Sequence, residues 1–163
     1  AGVEFEHTLI GDGDDREKTL KLIRDLELAD SCKWAGTLAH EQVLEYYRRS
    51  DLFVLGCEQA ANGDQDGIPN VFVESLAMGL PVVSTQLSAI PELIESGQTG
   101  LLVKPGNDAD MLTAILALLT DSALRIQVIE SGKKRVRQSF NNRELINTLY
   151  RTYRQEVPEL QLK

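Results

Sequence analysis

The sequence predicts an α/β fold built on a doubly wound parallel sheet. Short apolar runs that end at glycine-containing turns alternate with segments in which apolar residues recur at helical spacing. The run at residues 52–55 is continuously apolar, as expected for a strand that is buried on both faces of a parallel sheet. Because the chain has 163 residues with 42% hydrophobic content, it is long enough for one domain with its own core.

Three strands and two helices are predicted in the first part of the chain. Each strand is followed by a turn or loop that contains glycine. The spacing of Leu20, Ile23 and Leu26 puts them on one face of the first helix, and Val43 and Tyr47 lie on one side of the second. The predicted bounds are strands over 5–10, 32–35 and 52–55, and helices from about Arg16 and over 41–49.

Two further strands and five helices are predicted after residue 60. A polar loop over 60–67 is long for a compact domain, which favours a functional role. The helix after Pro69 is expected to end at Gly79, because glycine is a good C-terminal cap. Another helix opens at Asp108 and repeats apolar residues at the i, i+3, i+4, i+7 spacing from Leu112. The other elements are strands over 80–84 and 100–103, a short helix over 90–95, and two closing helices within about 123–157.

Composition argues against several classes of protein. The net charge of −8 opposes attraction to nucleic acid, and no apolar run approaches the roughly 20 residues that span a bilayer. Cys32 and Cys57 are separated from each other and from His7 and His40, so neither a disulfide framework nor metal-ligand spacing is visible. The expected compartment is a reducing cytoplasm, and no metal site is expected.

The beginning of the chain favours an excised piece of a longer protein. Residues 1–3 lead almost directly into a predicted core strand, without an initiator methionine or a signal peptide. Residues 1–163 are therefore expected to form one domain, with further functional residues upstream.

The stretch from Asp66 to Glu74 carries the clearest chemical signal. Proline at a first helical position has no amide hydrogen, and the free amides that follow it form a helix end that attracts phosphate. The two carboxylates, eight positions apart, could accept hydrogen bonds from sugar hydroxyls on either side of a bound diphosphate. This arrangement fits a nucleotide sugar. Without further support, Glu74 would be read as an exposed helix residue and Asp66 as a solvated loop acid.

From Asp66 to Pro105 the chain resembles the C-terminal, donor-binding domain of retaining GT-B glycosyltransferases, in particular glycosyltransferase family 4, the glycosyl transferases group 1. The resemblance extends over nearly the whole chain and implies a Rossmann-like domain, the C-terminal half of a GT-B fold. The family pattern is an acid, Gly, an aromatic or aliphatic residue, Pro, and a Glu eight positions after the acid. It is matched here by Asp66, Gly67, Ile68, Pro69 and Glu74. Later parts of the family pattern are matched by residues 77–85, 90–93, Gly97 and 99–103.

The resemblance implies that the domain binds a nucleotide-diphosphate sugar, with UDP or GDP as the nucleotide and no metal or other cofactor. Glu74 would reach the ribose hydroxyls and Asp66 would lie near the transferred sugar. Thr37 and Leu38 would lie beside the nucleobase. The backbone amides that would face phosphate and sugar belong to the segment Gly67, Ile68, Pro69 and Asn70.

The resemblance also implies an enzyme whose other parts lie outside these residues. An Arg and a Lys that neutralise the leaving diphosphate belong to the preceding segment, and the acceptor site belongs to an N-terminal domain. The 163-residue chain is therefore expected to be inactive alone. The long loop before Asp66 resembles that of bacterial exopolysaccharide transferases of the colanic acid type. This favours synthesis of cell-surface polysaccharide or lipid-linked glycan in the cytoplasm, at the inner face of the membrane.

Departures from the family pattern keep other functions open. Asp66 stands where glutamate is usual, and Ser88 and Ala89 stand where many members have two glycines, which would stiffen the backbone. These changes favour a non-catalytic nucleotide-binding or interaction module that has kept the fold. A third alternative, a sugar-nucleotide epimerase, would need catalytic residues from the missing half. An Arg and a Lys beside a glycine turn upstream would support the enzyme.

Overall fold

A computed structural model describes residues 2–59 and 67–156. Asp66 and most of the predicted loop lie outside the described residues. Contacts divide the chain into two compact units, Ala1–Tyr46 and Tyr47–Lys163. The expectation of a single domain over residues 1–163 stays a prediction.

The first unit is built on two parallel strands. β1 (His7–Ile10) pairs with β2 (Cys32–Gly36), with His7 opposite Cys32 and a register irregularity between Leu9 and Ile10. α1 (Arg16–Asp25) connects the two strands, and α2 (His40–Arg49) begins in this unit. β2 ends at Gly36, whose φ of +68° is a left-handed conformation that glycine adopts without steric cost.

The second unit contains a three-stranded parallel sheet in the order β3-β4-β5. All four residues of the central strand β4 are buried, whereas β3, at the end of this order, is half-buried. The strands are β3 (Phe53–Leu55), β4 (Val82–Thr85) and β5 (Leu101–Val103). The helices are α3 (Asn70–Met78), α4 (Ile90–Leu93), α5 (Asp108–Thr120), α6 (Ser122–Ser139) and α7 (Asn142–Glu156).

Helices pack on both faces of this sheet. Successive residues of a strand point to opposite faces, so Val82 and Val83 enter two different apolar clusters. Val82 joins Phe72 and Leu76 of α3, residues of α4, and Val136 of α6. Val83 joins residues of α5 and Val128 of α6. This packing is the doubly wound α/β arrangement that the sequence predicts.

Most predicted elements are present, with two differences in detail. Pro69 is the residue before α3 and not its first residue, because its ψ of 129° is extended and not helical. Leu26, predicted on the buried side of the first helix, lies just after the end of α1 and is 57% exposed. Among the described residues the strands form parallel sheets, as predicted, with β1 and β2 paired in one and β3, β4 and β5 in the other.

Among the helices in the described ranges, no single one is long and apolar enough to cross a membrane. Only the pair Asp108–Thr120 and Ser122–Gln155, which is bent by 96°, has the length and composition of a membrane span when its two parts are taken together.

Candidate functional site

The candidate site lies in the second unit, at the edge of the sheet that is formed by the carboxyl ends of β3 and β4. Both strands are parallel, so the segments after Leu55 and after Thr85 leave the sheet at the same edge. Ligands of open α/β sheets bind at this carboxyl edge. The segment after β3 leads to α3, which begins at Asn70 and carries Glu74 one turn later.

The N-terminus of α3 has the features of an anion site. The amides of Asn70 and Val71 have no acceptor within the helix, as is general for a first turn, whereas the Phe72 amide donates to the Pro69 carbonyl at 3.0 Å. Among the described residues, no side chain caps this helix, and its first turn carries no acid. The partial positive charge of the helix end is therefore available to a negatively charged ligand.

Glu74 is not a solvated surface acid. Its side chain is half-buried, and the Tyr47 hydroxyl donates a hydrogen bond to Glu74 Oε2 at 3.4 Å. Because residues four apart lie on the same side of a helix, Glu74 lies one turn below Asn70. Half-burial together with a tyrosine partner argues against reading Glu74 as an ordinary exposed helix residue.

Tyr47 belongs to a chain of aromatic contacts beneath α3. Its ring meets Phe53 of β3 edge-to-face at 5.8 Å between centroids, and Phe53 meets Phe72 of α3 in the same way, also at 5.8 Å. Tyr47 is 6% exposed. Burial, followed by the charge of Glu74 and the hydrogen bond to it, raises the pKa of Tyr47 to about 12. The hydroxyl therefore keeps its proton at physiological pH.

Thr85 fixes the beginning of the segment that leads from β3 towards α3. Its hydroxyl accepts a hydrogen bond from the Cys57 amide at 2.9 Å and donates one to the Cys57 carbonyl at 2.6 Å. The neighbouring Ser84 donates to the Leu55 carbonyl at 2.7 Å. Thr85 is only 3% exposed, so both of its bonds are shielded from water.

Replacing Thr85 with valine, which has nearly the same shape, is expected to lower the free energy of unfolding by about 1–3 kcal/mol. The change removes both hydrogen bonds between the Thr85 hydroxyl and the Cys57 backbone. Urea denaturation measures the loss. Thr113→Val is the matched control, because the Thr113 hydroxyl bonds the Ala109 carbonyl on an exposed helix face. Equal losses in the two variants would contradict the role assigned to Thr85.

Ser88 adopts a backbone conformation that glycine favours. Its φ is +50°, in the segment that follows β4. Serine is strained in this region by roughly 1–2 kcal/mol. Although the chain has lost the glycine expected here, the backbone keeps a conformation that a glycine would adopt readily. The predicted stiffening of this backbone relative to glycine stays a prediction.

Thr37 and Leu38 lie just after β2 in the first unit, where Thr37 is exposed and Leu38 is half-buried. Their predicted place beside a nucleobase stays a prediction. Nearby, Trp34 is half-buried; its indole Nε1 has no hydrogen-bond partner among the described residues, and the Arg16 guanidinium lies 6.0 Å from the ring centroid.

The structure thus brings Gly67, Ile68, Pro69 and Asn70 together with Glu74, and does not describe Asp66. Sequence reasoning missed Tyr47 and Thr85 as parts of this site. Helical spacing marked Tyr47 only as a core residue, and no local pattern predicts the contacts of either hydroxyl. Within residues 2–59 and 67–156, Cys32 and Cys57 form no disulfide, and no three metal-ligating side chains form a group.

Residues 2–135 match the family described as glycosyl transferases group 1. The chain belongs to this family. The match covers most of the sequence and includes β1 to α5 and most of α6.

Curated glycosyltransferases resemble the chain over most of its length. It is 40% identical over 138 residues to the amylovoran biosynthesis glycosyltransferase AmsK of Erwinia amylovora, covering 84% of this chain and 34% of that protein. It is 36% identical over 154 residues to the putative colanic acid biosynthesis glycosyltransferase WcaL of Salmonella typhimurium, covering 91% of this chain and 38% of that protein. The chain therefore spans little more than a third of these relatives.

Solved structures confirm the fold expected for a group 1 glycosyltransferase. Anabaena Alr3699/HepE, solved in complex with UDP-glucose, superposes with a TM-score of 0.75 at 25% identity, covering 89% of this chain and 40% of that one. Sucrose-phosphate synthase from Thermosynechococcus elongatus superposes with a TM-score of 0.76 at 24% identity, covering 91% of this chain and 37% of that one. These neighbours are GT-B glycosyltransferases, so the predicted α/β class with parallel sheets is confirmed.

Proposed function

We propose that this chain is the donor-binding domain of a retaining glycosyltransferase, which transfers a sugar from a nucleotide-diphosphate sugar to an acceptor. The observation that carries the proposal is the half-buried Glu74, one turn inside a helix whose first turn has neither a capping side chain among the described residues nor an acid. Membership of the glycosyl transferases group 1 family supports it.

The geometry of α3 suits a nucleoside diphosphate. A diphosphate at the amides of Asn70 and Val71 would meet the positive end of the helix. Glu74 lies four residues further, about 6 Å along the axis, and a carboxylate accepts hydrogen bonds from the two hydroxyls of a ribose. The helix α3 thus offers backbone amide hydrogens to the phosphate and a carboxylate acceptor to the ribose.

The remaining steps of the reaction involve parts that the structure does not describe. We place Asp66 near the transferred sugar, and we place the cations that neutralise the leaving diphosphate in the segment upstream of this chain. Without such cations the transition state loses most of its electrostatic stabilisation. The 163-residue chain is therefore expected to bind donor without transferring sugar. Helix ends and protein cations hold the diphosphate in this account, with no metal.

The proposed setting is synthesis of a bacterial cell-surface polysaccharide or lipid-linked glycan at the cytoplasmic face of the membrane. Two relatives whose names refer to amylovoran and colanic acid biosynthesis support it. A separate N-terminal domain would carry the acceptor site. The alternative of a non-catalytic module is weakened by Ser88, because its positive φ preserves a glycine-like backbone. Asp66 in place of glutamate is the remaining argument for that alternative.

Titration calorimetry with UDP, GDP and their sugar conjugates tests the proposal. One nucleotide is expected to bind, and Glu74→Ala is expected to weaken that binding by about 1–3 kcal/mol, the scale of a lost charge-assisted hydrogen bond. UDP is the first candidate, because Alr3699/HepE is solved with UDP-glucose. The titration is repeated on the complete protein that carries this chain, which supplies the upstream cations.

Glu144→Ala is the matched control, because it removes the same charge from an exposed position on α7. It should leave nucleotide affinity unchanged. Equal affinities for the wild type and the Glu74 variant would contradict the proposed site, and the absence of binding in both the chain and the complete protein would contradict the proposed function.

A further inference from the structure

A contact between Tyr47 and Glu74 joins the last turn of α2 to α3. Tyr47 lies 27 positions before Glu74, in the last turns of α2, and its hydroxyl lies 3.4 Å from Glu74 Oε2. A phenylalanine would fill the same buried space without placing a polar hydroxyl there. The hydroxyl of Tyr47 therefore calls for an explanation in terms of Glu74.

The ring of Tyr47 is held rigidly with respect to the helix that carries Glu74. Tyr47 is 6% exposed and packs edge-to-face on Phe53, which packs in turn on Phe72. Phe72 is fully buried and lies two residues before Glu74 in α3. Because close-packed rings do not shift freely, the Tyr47 hydroxyl is a fixed point beside the carboxylate.

The direction of the hydrogen bond is determined by charge. The pKa of Tyr47 is raised to about 12, chiefly by burial, so its O–H is intact and donates. An ionised carboxylate only accepts, and its two oxygens offer about four acceptor sites. The contact involves Oε2, and at 3.4 Å it is longer than the usual 2.7–2.8 Å of an O–H···O bond. Such a contact restrains the carboxylate without using up its capacity to accept other bonds.

We propose that Tyr47 is a positioning residue for Glu74, and that its hydroxyl fixes the orientation in which the carboxylate meets the ribose hydroxyls of the donor. The inference rests on the proposed function, since it takes Glu74 as the ribose acceptor. A carboxylate that is oriented before binding loses less rotational freedom when the nucleotide arrives. Tyr47 would therefore raise nucleotide affinity without touching the ligand.

Tyr47→Phe tests the inference, because it removes the hydroxyl and keeps the ring that packs on Phe53. Titration calorimetry on the wild type should show affinity for the preferred nucleotide, and that affinity should fall roughly threefold to tenfold in the variant, the scale of ordering one side chain on binding. Tyr47→Phe should lower affinity for the deoxy form of the nucleotide, which lacks the ribose 2′ hydroxyl, by a smaller factor than it lowers affinity for the nucleotide itself. Tyr150→Phe, which changes a partly exposed tyrosine of α7, is the control and should bind as the wild type does.

A double-mutant cycle separates positioning from a general loss of packing. In the Glu74→Ala background, which offers the Tyr47 hydroxyl no carboxylate, adding Tyr47→Phe should weaken binding no further, because the two residues act through one contact. A second loss of the same size in that background would show that Tyr47 acts independently of Glu74, and would overturn the inference. Tighter binding by Tyr47→Phe would also overturn it, since Tyr47 would then compete with the ribose for the carboxylate.

The outcomes also separate this inference from the function on which it rests. Glu74→Ala that binds nucleotide as well as the wild type would rule out the proposed ribose site itself. Glu74→Ala that binds weakly, together with Tyr47→Phe that binds normally, would overturn only the positioning role. No binding by the wild-type chain or by the complete protein that carries it would overturn both.

Discussion

Replacing Phe72 with alanine is expected to lower the free energy of unfolding by about 3–5 kcal/mol, the range for deletion of a buried aromatic side chain. Phe72 is fully buried in the cluster that joins α3 to Val82 of β4, and its ring contacts Phe53. The deletion leaves a cavity between α3 and the sheet. Because Phe72 lies in the first turn of α3, nucleotide affinity should fall together with stability.

Urea denaturation followed by circular dichroism measures this loss, and Phe5→Ala is the matched control. Phe5 is 53% exposed, so its truncation should change the free energy of unfolding by no more than about 0.5 kcal/mol. A Phe72 variant as stable as the Phe5 variant would mean that α3 does not pack on the sheet through this ring.

Asn70→Asp is expected to weaken nucleotide-diphosphate binding strongly while it makes α3 more stable. The new carboxylate would lie in the first turn of α3, where a negative charge stabilises a helix by about 0.3–1 kcal/mol. The same charge would repel a bound diphosphate. Two unit charges about 6 Å apart interact by roughly 1.4–2.8 kcal/mol at an effective dielectric constant of about 20 to 40, so a loss of about 10- to 100-fold in affinity is expected.

This prediction is specific because the stability of the protein should rise while its affinity for the nucleotide falls. Thermal unfolding without ligand should show a small rise in the midpoint, and calorimetry should show the loss of affinity, which added salt should reduce. Asn147→Asp adds the same charge on exposed α7 and should leave affinity unchanged. Normal binding by Asn70→Asp would mean that the diphosphate does not lie at the N-terminus of α3.

The sequence predicts the secondary structure of this chain well where local chemistry sets it. Gly79 ends α3 in the left-handed conformation, with φ of +81°, as its place after an apolar helix predicts. The alternation of Val82 and Val83 between two clusters follows from the pleat of a strand. The sequence predicts that α3 begins at Pro69, which is one residue too early, because residue types alone do not determine the ψ of the residue before a helix.

The candidate site could be predicted only in part. The motif around Pro69 and Glu74 lies within one stretch of sequence, so its pattern is visible without a structure. Tyr47 and Thr85 reach this region through contacts with residues 27 and 28 positions away, which no periodicity reveals. The positive φ of Ser88 could not be predicted for a related reason, because a residue type indicates which backbone angles are easy and not which are adopted.

The most direct test of the central claim is a map of nucleotide binding by two-dimensional NMR on the isotope-labelled chain, with the complete protein that carries it as a second sample. The account predicts that UDP or GDP shifts the amide signals of Gly67, Asn70 and Val71 most, with Glu74 following. Gly67 precedes α3, and the other three residues lie in its first two turns. Shifts confined to the opposite edge of the sheet, around the cavity lined by Asp51 and Leu80, would contradict it.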